Sequence, residues 1–417
     1  MQKLVIQGGR HLEGEISVQG AKNSALPIAA AALLCDGTSW LENCPRLSDV
    51  FAACRILTNL GCRCSIQGNT VTVDAHGMHS SEIPEQFMCE MRSSIIFLGA
   101  VLGRMGACPL GYPGGCELGP RPINLHLQAL RRMGVRIHEE NGILHCTTPN
   151  GLRGAKIHLQ FPSVGATENI LLAAVTAKGE TTISNAAREP EIVDLAKFLR
   201  SCGAKIAGEG TGTIVIQGVK QLHGCTYRIM PDRIVAATWL AAAAAAGGEL
   251  HLRQVSAPDM ESILDVFEEM NCRMSTGADS IFFHAGTPLR AVRMLKTMPY
   301  PGFPTDAQAI LMAALCCANG TTVVEETIFE NRFRHVDALV KMGADIRTAG
   351  RAAVISGVRG LHGAAVEATD LRGGAAMLIA GLCASGETVI TEIHHIDRGY
   401  DSPEQVLRQV GAEIIRV

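Results

Sequence analysis

The segment Gly111-Tyr112-Pro113-Gly114-Gly115-Cys116-Glu117-Leu118-Gly119-Pro120-Arg121-Pro122 sets one thiol among four glycines and three prolines. So irregular a stretch reads as a surface loop, not core. A thiol there, beside Arg121, is expected to have a lowered pKa and real reactivity. Cys116 is therefore a candidate nucleophile or general acid; a turn-filling cysteine would need an apolar setting that this loop lacks. A second candidate is the acid in Phe303-Pro304-Thr305-Asp306, ahead of an apolar helix. Asp306 reads either as a helix cap or as a general base for a hydroxyl, whereas Asp370 reads as a cap only. The third signal is a set of cations, Lys22, Arg92, Arg121, Arg332, Arg372 and Arg398, at or just before predicted helix starts. A cation there opposes the helix dipole. One such charge alone reads as solvated surface. Six in equivalent places point to a shared, strongly anionic ligand, which Arg would grip bidentately and Lys as a point charge.

The elements that must hold these residues repeat. Six apolar helices begin at Ala21-Lys22-Asn23, Met91-Arg92-Ser93, Ser163-Val164-Gly165, Pro231-Asp232-Arg233, Thr305-Asp306-Ala307 and Asp370-Leu371-Arg372, and end at Gly37, Gly106, Gly179, Gly248, Gly320 and Gly386. An alternating strand follows each glycine, as in Thr321-Thr322-Val323-Val324. A second helix then ends at Gly61, Gly134, Gly203, Asn271, Gly343 or Gly411, and two more strands close the unit. The sixth copy stops short at Ile414-Ile415-Arg416-Val417. The missing piece stands at the other terminus, where Leu4-Val5-Ile6-Gln7-Gly8 is similar to Ile214-Val215-Ile216-Gln217-Gly218. Residues 1 to about 20 are thus expected to complete the sixth unit. The reading is an α/β protein of two domains with three units each: 22–229 carrying the Cys116 loop, and 1–21 with 230–417. Two chain crossings make a hinge, and a cleft between two lobes is a common place for a ligand.

Composition narrows the class. A length of 417 residues allows about two to three domains, and a charged fraction of 18% with 47% apolar residues fits well-buried helices. A net charge of -3 supplies no basic field for nucleic acid or membrane. The fifteen cysteines are an odd number with no Cys-x-x-Cys pair, in a large chain whose first residues are no secretory signal. They read as small buried hydrophobes in a reducing cytoplasm. The apolar run Thr238 to Ala246 is too short to span a bilayer. Gly208-Glu209-Gly210-Thr211-Gly212 reads as a hairpin turn, since no helix follows it. His394-His395 lacks companions at metal spacing, so no metal site is expected.

At Gly20-Ala21-Lys22-Asn23, Met91-Arg92-Ser93-Ser94, Pro113-Gly114-Gly115-Cys116, Gly119-Pro120-Arg121-Pro122, Ser163-Val164-Gly165-Ala166-Thr167, Phe303-Pro304-Thr305-Asp306, Phe329-Glu330-Asn331-Arg332-Phe333, Thr369-Asp370-Leu371-Arg372 and His395-Ile396-Asp397-Arg398-Gly399-Tyr400 the chain resembles the enolpyruvyl (1-carboxyvinyl) transferase family, in its UDP-N-acetylglucosamine branch. The likeness covers essentially the whole chain. It implies a two-domain inside-out α/β barrel. It also implies addition of phosphoenolpyruvate to the sugar 3-hydroxyl and elimination of phosphate, the step that commits the sugar to peptidoglycan. Cys116 would protonate the methylene carbon and could carry a covalent adduct of phosphoenolpyruvate, a co-substrate; no separate cofactor is implied. Asp306 would assist the sugar hydroxyl. Lys22, Asn23, Arg121, Arg398, Arg332 and Arg372 would hold phosphoenolpyruvate. Arg92, Arg121, Pro122, Ile123, Asn124, Leu125, Ser163, Val164, Gly165, Asp306 and Ile328 would hold the nucleotide-sugar. The chain departs from the family pattern at Asn124, at Phe161-Pro162 and at Tyr112. The presence of Cys116 implies inactivation by thiol-directed epoxides of the fosfomycin type. Two other readings remain: the sister enzyme acting on shikimate 3-phosphate, which would not need the loop cysteine, and a six-unit DNA clamp, which would need cations spread along an inner surface.

Overall fold

The computed structural model describes residues 2–111 and 123–417. The chain forms two compact units, which divide at Gln19/Gly20 and at Met230/Pro231. Each first helix is buried almost all round, because its residues are Ala, Leu, Ile and Gly on every side. In Leu371–Cys383, for example, every residue from Arg372 to Leu382 is buried. In one unit Arg233–Ala246, Thr305–Leu315 and Leu371–Cys383 pack against one another; in the other Phe97–Met105 packs on Lys22–Ala31 and Val164–Ala174. Helices therefore fill the centre, and the sheets lie outside with one face buried and one wet, as alternating strands such as Thr321–Glu325 require.

Among the described residues one four-stranded sheet order recurs five times, and a sixth sheet follows it in part. An opening strand runs parallel to the strand after the first helix. A third strand is antiparallel to that one, and its hairpin partner lies at the edge. Met294–Lys296, Thr321–Glu325, Ala352–Ser356 and Asp345–Ala349 show the pattern in full. The sheet built on Ala107–Gly111 has three strands, and a single parallel bridge from Ile83 to Leu110 stands where its opening strand belongs.

The N-terminal segment does not serve the sixth unit alone. Leu4–Gln7 lies antiparallel between Glu387–Thr391 and Glu413–Arg416 and completes that sheet. Leu12–Ser17 instead pairs in parallel with Gly248–Arg253 and opens the sheet of the fourth unit. The other unit closes on itself in the same way, since Thr226–Arg228 near its end opens the sheet of Thr38–Glu42 near its start. A shared repeat hides this division, because any copy of the strand pair matches every other copy in sequence.

All twelve punctuating residues have positive φ, from 70° at Asn271 to 123° at Gly248. That left-handed conformation comes at little cost only in glycine or asparagine, which accounts for Asn271 in the glycine series. Gly106 caps its helix and the second series closes the second helices, but Gly37, Gly179, Gly248, Gly320 and Gly386 do not end the first helices as expected: they stand past them, at the entry to the next strand. The Gly208–Gly212 stretch is the turn between Lys205–Ala207 and Thr213–Gln217, and the Thr238–Ala246 run lies inside a buried helix. Among the described residues no helix is long and apolar enough to cross a membrane. Every cysteine whose side chain is described is a free thiol, buried or half-buried. Burial pushes Cys44 and Cys62 up to about 12, so these thiols stay protonated and inert.

Candidate active site

Cys116, Arg121 and Pro122 lie outside the described residues, as does the side chain of Arg92 on its short helix Arg92–Ile96. The remaining candidates fall into one cluster per unit, and Lys22 and Asn23 open a helix of the unit that holds residues 123–125 and 163–165.

In the unit that carries residue 306, Pro304 is the N-cap of Thr305–Leu315, and Asp306 stands in the first turn. Its carboxylate is held by two guanidiniums. Arg332 Nη2 donates to Oδ1 over 2.9 Å, and Arg372 Nη2 to Oδ2 over 3.0 Å. The arginines are 3% and 4% exposed, whereas Asp306 is 30% exposed, so the pair lies beneath and the acid faces outward. Arg332 also donates to the Thr305 carbonyl and stacks over Phe329. Arg372 donates to the Tyr400 hydroxyl over 3.1 Å, which in turn meets Thr238 over 2.9 Å. Burial works against the charge on Arg372, but Asp306 outweighs it and raises the guanidinium pKa above its ordinary value. His335, 1% exposed beside Arg332, is pushed down to about 4, mainly by burial. A neutral imidazole adds no third positive charge to the cluster.

Two supports went unseen in the sequence. Glu326 is fully buried and joins three segments. It accepts from Thr297 and Thr305 hydroxyls at 3.0 and 2.9 Å and from the Ile328 and Phe329 amides at 2.8 and 3.1 Å. It therefore fixes the start of the Asp306 helix against the turn holding Ile328. The Ile328 N–H is spent on Glu326, so a ligand contact at 328 must use the carbonyl or the side chain. Gln19 is the other support: its amide donates to the Gly399 carbonyl over 3.1 Å and accepts from Asp401 N–H over 2.9 Å. That pins the turn after Ile393–Arg398, whose last residue is Arg398. Gly374 lets this segment come close, for a β-carbon there would sit 2.6 Å from Ile396. Asp370 is a cap, as expected, accepting from the Arg372 and Gly373 amides.

Lys22 opens the helix Lys22–Ala31, but its ammonium is buried and lies 3.3 Å from Asp49 of Ser48–Asn59. Asn23 beside it is half-buried. Next to it, Ser24 donates to Asp194, which also accepts from the Tyr227 hydroxyl over 2.6 Å and from Met230 N–H over 3.2 Å. Burial raises the Asp194 pKa, and these donors oppose the rise. Asp49 and Asp194 sit among many first-turn and mid-helix acids, so nothing in the sequence set them apart.

The second cluster gathers six nucleotide-sugar candidates, residues 123–125 and 163–165. Ile123 is the N-cap of Asn124–Arg132, and Asn124 is exposed with Leu125 half-buried. Ser163 caps Val164–Ala174, accepting from Ala166 N–H over 3.3 Å. Buried Asn169 ties both to the Arg92 segment. Its oxygen accepts from Gly99 N–H over 2.7 Å, and its nitrogen donates to the Ile95 carbonyl and to His126 Nδ1 at 2.9 and 2.8 Å. The start of Val164–Ala174 leaves the N–H groups of Val164 and Gly165 with no partner inside the helix, a setting suited to an anion.

Beneath this turn Glu168 is wholly buried, and burial, with Glu191 and Glu189 nearby, raises its pKa to about 8. The unfolded chain loses this proton near 4.5, so the fold should weaken as pH rises from there to about 8 and then level off. Glu168→Gln is expected to remove that decline. An ionisation penalty on the order of 4 kcal/mol, less the cost of burying an amide, leaves the variant about 2 kcal/mol more stable above pH 8. Thermal melts from pH 5 to 9 (roughly the window between the two titrations) check this; parallel pH profiles of the two proteins would contradict it.

Among the described residues no group of three or more His, Cys, Asp or Glu is placed to hold a metal ion. The cluster at Asp306 is thus an oriented carboxylate on a cationic floor, suited to taking a proton from a hydroxyl beside an anionic reactant.

Comparison with known proteins agrees with that chemistry. The family model of EPSP synthase (3-phosphoshikimate 1-carboxyvinyltransferase) matches residues 6–407. UDP-N-acetylglucosamine 1-carboxyvinyltransferase 2 of Caldanaerobacter subterraneus subsp. tengcongensis is 51% identical over 417 residues, covering 100% of both chains. UDP-N-acetylglucosamine 1-carboxyvinyltransferase 1 of Staphylococcus aureus is 46% identical over 420 residues, again covering 100% of both. In structure, the enolpyruvyl transferase NikO from Streptomyces tendae superposes with a TM-score of 0.91 at 26% identity, over 100% of this chain and 99% of that one. EPSP synthase from Acinetobacter baumannii shares the fold, with a TM-score of 0.76 at 20% identity and full coverage of both chains. With the model spanning nearly its whole length and transferases of one name matching it end to end, the chain belongs to the enolpyruvyl (1-carboxyvinyl) transferase family.

Proposed function

We propose that the protein transfers the enolpyruvyl group of phosphoenolpyruvate to the 3-hydroxyl of UDP-N-acetylglucosamine and releases phosphate. The observation that carries this reading is Asp306, exposed at its tip and oriented by two buried arginines. In the addition step the sugar oxygen bonds C2 of phosphoenolpyruvate while its proton passes to Asp306, and Cys116 delivers a proton to the C3 methylene. In the elimination step C3 returns a proton to the Cys116 thiolate, the double bond reforms and the C2–O bond to phosphate breaks, the phosphate leaving with the proton held by Asp306. Lys22, Asn23, Arg121 and Arg398 would hold the phosphate and carboxylate of phosphoenolpyruvate. Arg332 and Arg372 would orient Asp306 and lend positive charge to the same ligand. Arg92, Arg121, residues 122–125, residues 163–165 and Ile328 would hold the nucleotide-sugar. The pyruvyl adduct on Cys116 and a cytoplasmic site of action belong to this proposal as well.

The sister reaction on shikimate 3-phosphate is disfavoured by the relatives. Those that match at 46–51% identity over full length carry the UDP-N-acetylglucosamine name, while the EPSP synthase structure at 20% shares only the fold. The test is phosphate release from phosphoenolpyruvate. Release is expected to require UDP-N-acetylglucosamine and to be absent with shikimate 3-phosphate. Turnover with the second acceptor and none with the first would select the sister enzyme.

A further inference from the structure

The helices Thr305–Leu315 and Leu371–Cys383 pack against each other, and their first turns meet where Arg372 donates to Asp306 over 3.0 Å. A second meeting lies at their other ends. Cys317 stands eleven residues after Asp306 and Cys383 eleven after Arg372, and the two sulfurs are 3.8 Å apart. Such an offset is about three helical turns, so both contacts fall on one seam between the helices. Both thiols are half-buried, within reach of a small solute. They are also tuned differently. The Cys383 S–H, which donates to the Ala380 carbonyl over 3.4 Å, turns to Cys317 once that sulfur ionises. This donor holds the Cys317 pKa below its ordinary value although burial works the other way, and the same bond raises Cys383 well above its own. One member is thus an attacking thiolate and the other a thiol waiting beside it. Cys316 takes no part, since it is fully buried and donates to the Met312 carbonyl. Cys202 and Cys225 approach to 3.5 Å as well. Cys202, however, is fully buried, and its carbonyl already accepts from His223 N–H, so a bond there would join segments that the backbone holds side by side.

We propose that Cys317 and Cys383 are a modification site, which hydrogen peroxide closes to a disulfide and a dithiol reopens. The Cys317 thiolate attacks one peroxide oxygen and the O–O bond breaks, leaving a sulfenic acid on Cys317 and a hydroxide that takes the proton Cys317 had released. The Cys383 sulfur then attacks the Cys317 sulfur, the S–O bond breaks, and a second water leaves with the Cys383 proton. Two thiols and one peroxide give one disulfide and two waters; the sulfurs lose two electrons and the peroxide oxygens gain them. Sulfurs already in contact need move little to bond. The bond joins residues 66 apart in the chain, and closing so long a loop restricts the unfolded chain strongly. The oxidised unit should therefore resist unfolding, with the Asp306 and Arg372 helices tied at both ends. This site goes beyond the transferase reading and does not depend on it.

The test uses the full chain, reduced and then treated with hydrogen peroxide. With free thiols blocked by N-ethylmaleimide, a peptide map made without reductant is expected to show Cys317 joined to Cys383. The oxidised protein should melt about 5–15 °C above the same sample after dithiothreitol, and Cys383→Ser should lose this shift. Unlinked Cys317 and Cys383 at a peroxide dose that oxidises Cys116 would overturn the proposal. So would the same link formed in equal yield by the chain unfolded in urea, or a linked protein that melts where the reduced one does. A shift of equal size in Cys383→Ser would assign it to other thiols and also reject the site. Should that variant not fold, Cys317→Ser replaces it, and the wild-type map and melts decide on their own.

Discussion

Asp306→Ala is expected to cost more than any other single change among the described residues. Removing a positioned general base lowers kcat by about 10²–10⁴, and the substitution also strands Arg332 and Arg372, both almost fully buried, without their shared carboxylate. Losing one partner of a buried charge cluster costs about 3–5 kcal/mol; partial exposure of Asp306 puts this case toward the lower end. Asp306→Asn separates the effects. Its oxygen can still accept from one arginine, so the melting temperature should recover in part, while kcat stays low because an amide takes no proton. The paired measurement is phosphate release at saturating substrates and a thermal melt for each variant. Wild-type turnover in the Asn variant would leave Asp306 a structural anchor and nothing more.

Cys116→Ala is the second large effect, and its basis is chemical. The methylene carbon of phosphoenolpyruvate is a poor base, so addition needs a nearby acid whose proton is given up readily; a thiol lowered by Arg121 can supply it. Alanine supplies none. Sugar-dependent phosphate release should fall by about 10²–10⁴. A thiol-directed epoxide should add its mass to the wild-type protein at residue 116 and nowhere in the variant. The cysteines whose side chains are described are buried or half-buried and so lie poorly placed to compete. Phosphate release unaffected by the substitution would remove Cys116 from the chemistry.

Much of the fold was legible because a repeat turns one local pattern into six readings of it. The punctuating glycines have a steric cause, the positive φ that other residues resist, so these positions could be read without contact information, although several of them open a strand and do not end a helix. Lys22 and Arg372 do stand at helix starts, where a charge that opposes the dipole needs an explanation, but Arg398, expected at one, is the last residue of Ile393–Arg398, where a cation suits the dipole. The partners of the cations were not legible. Lys22 meets Asp49, and Arg372 meets Asp306 and Tyr400 across wide gaps in the chain. An acid in a first turn looks the same in sequence whether it caps a helix, as Asp370 does, or is clamped by arginines, as Asp306 is.

The amino-acid order by itself determined the repeat count, the paired domains, the odd thiol and the family, because each rests on spacing, on local backbone chemistry or on motifs of adjacent residues. Only the tertiary structure decided which strand of the N-terminal segment serves which unit, and it alone assigned Asp306 to its two arginines. The Glu326 and Asn169 hubs were likewise invisible beforehand. The reason is physical: a buried polar group takes whatever partner the fold brings within about 3 Å, and that meeting depends on packing between segments far apart in the chain.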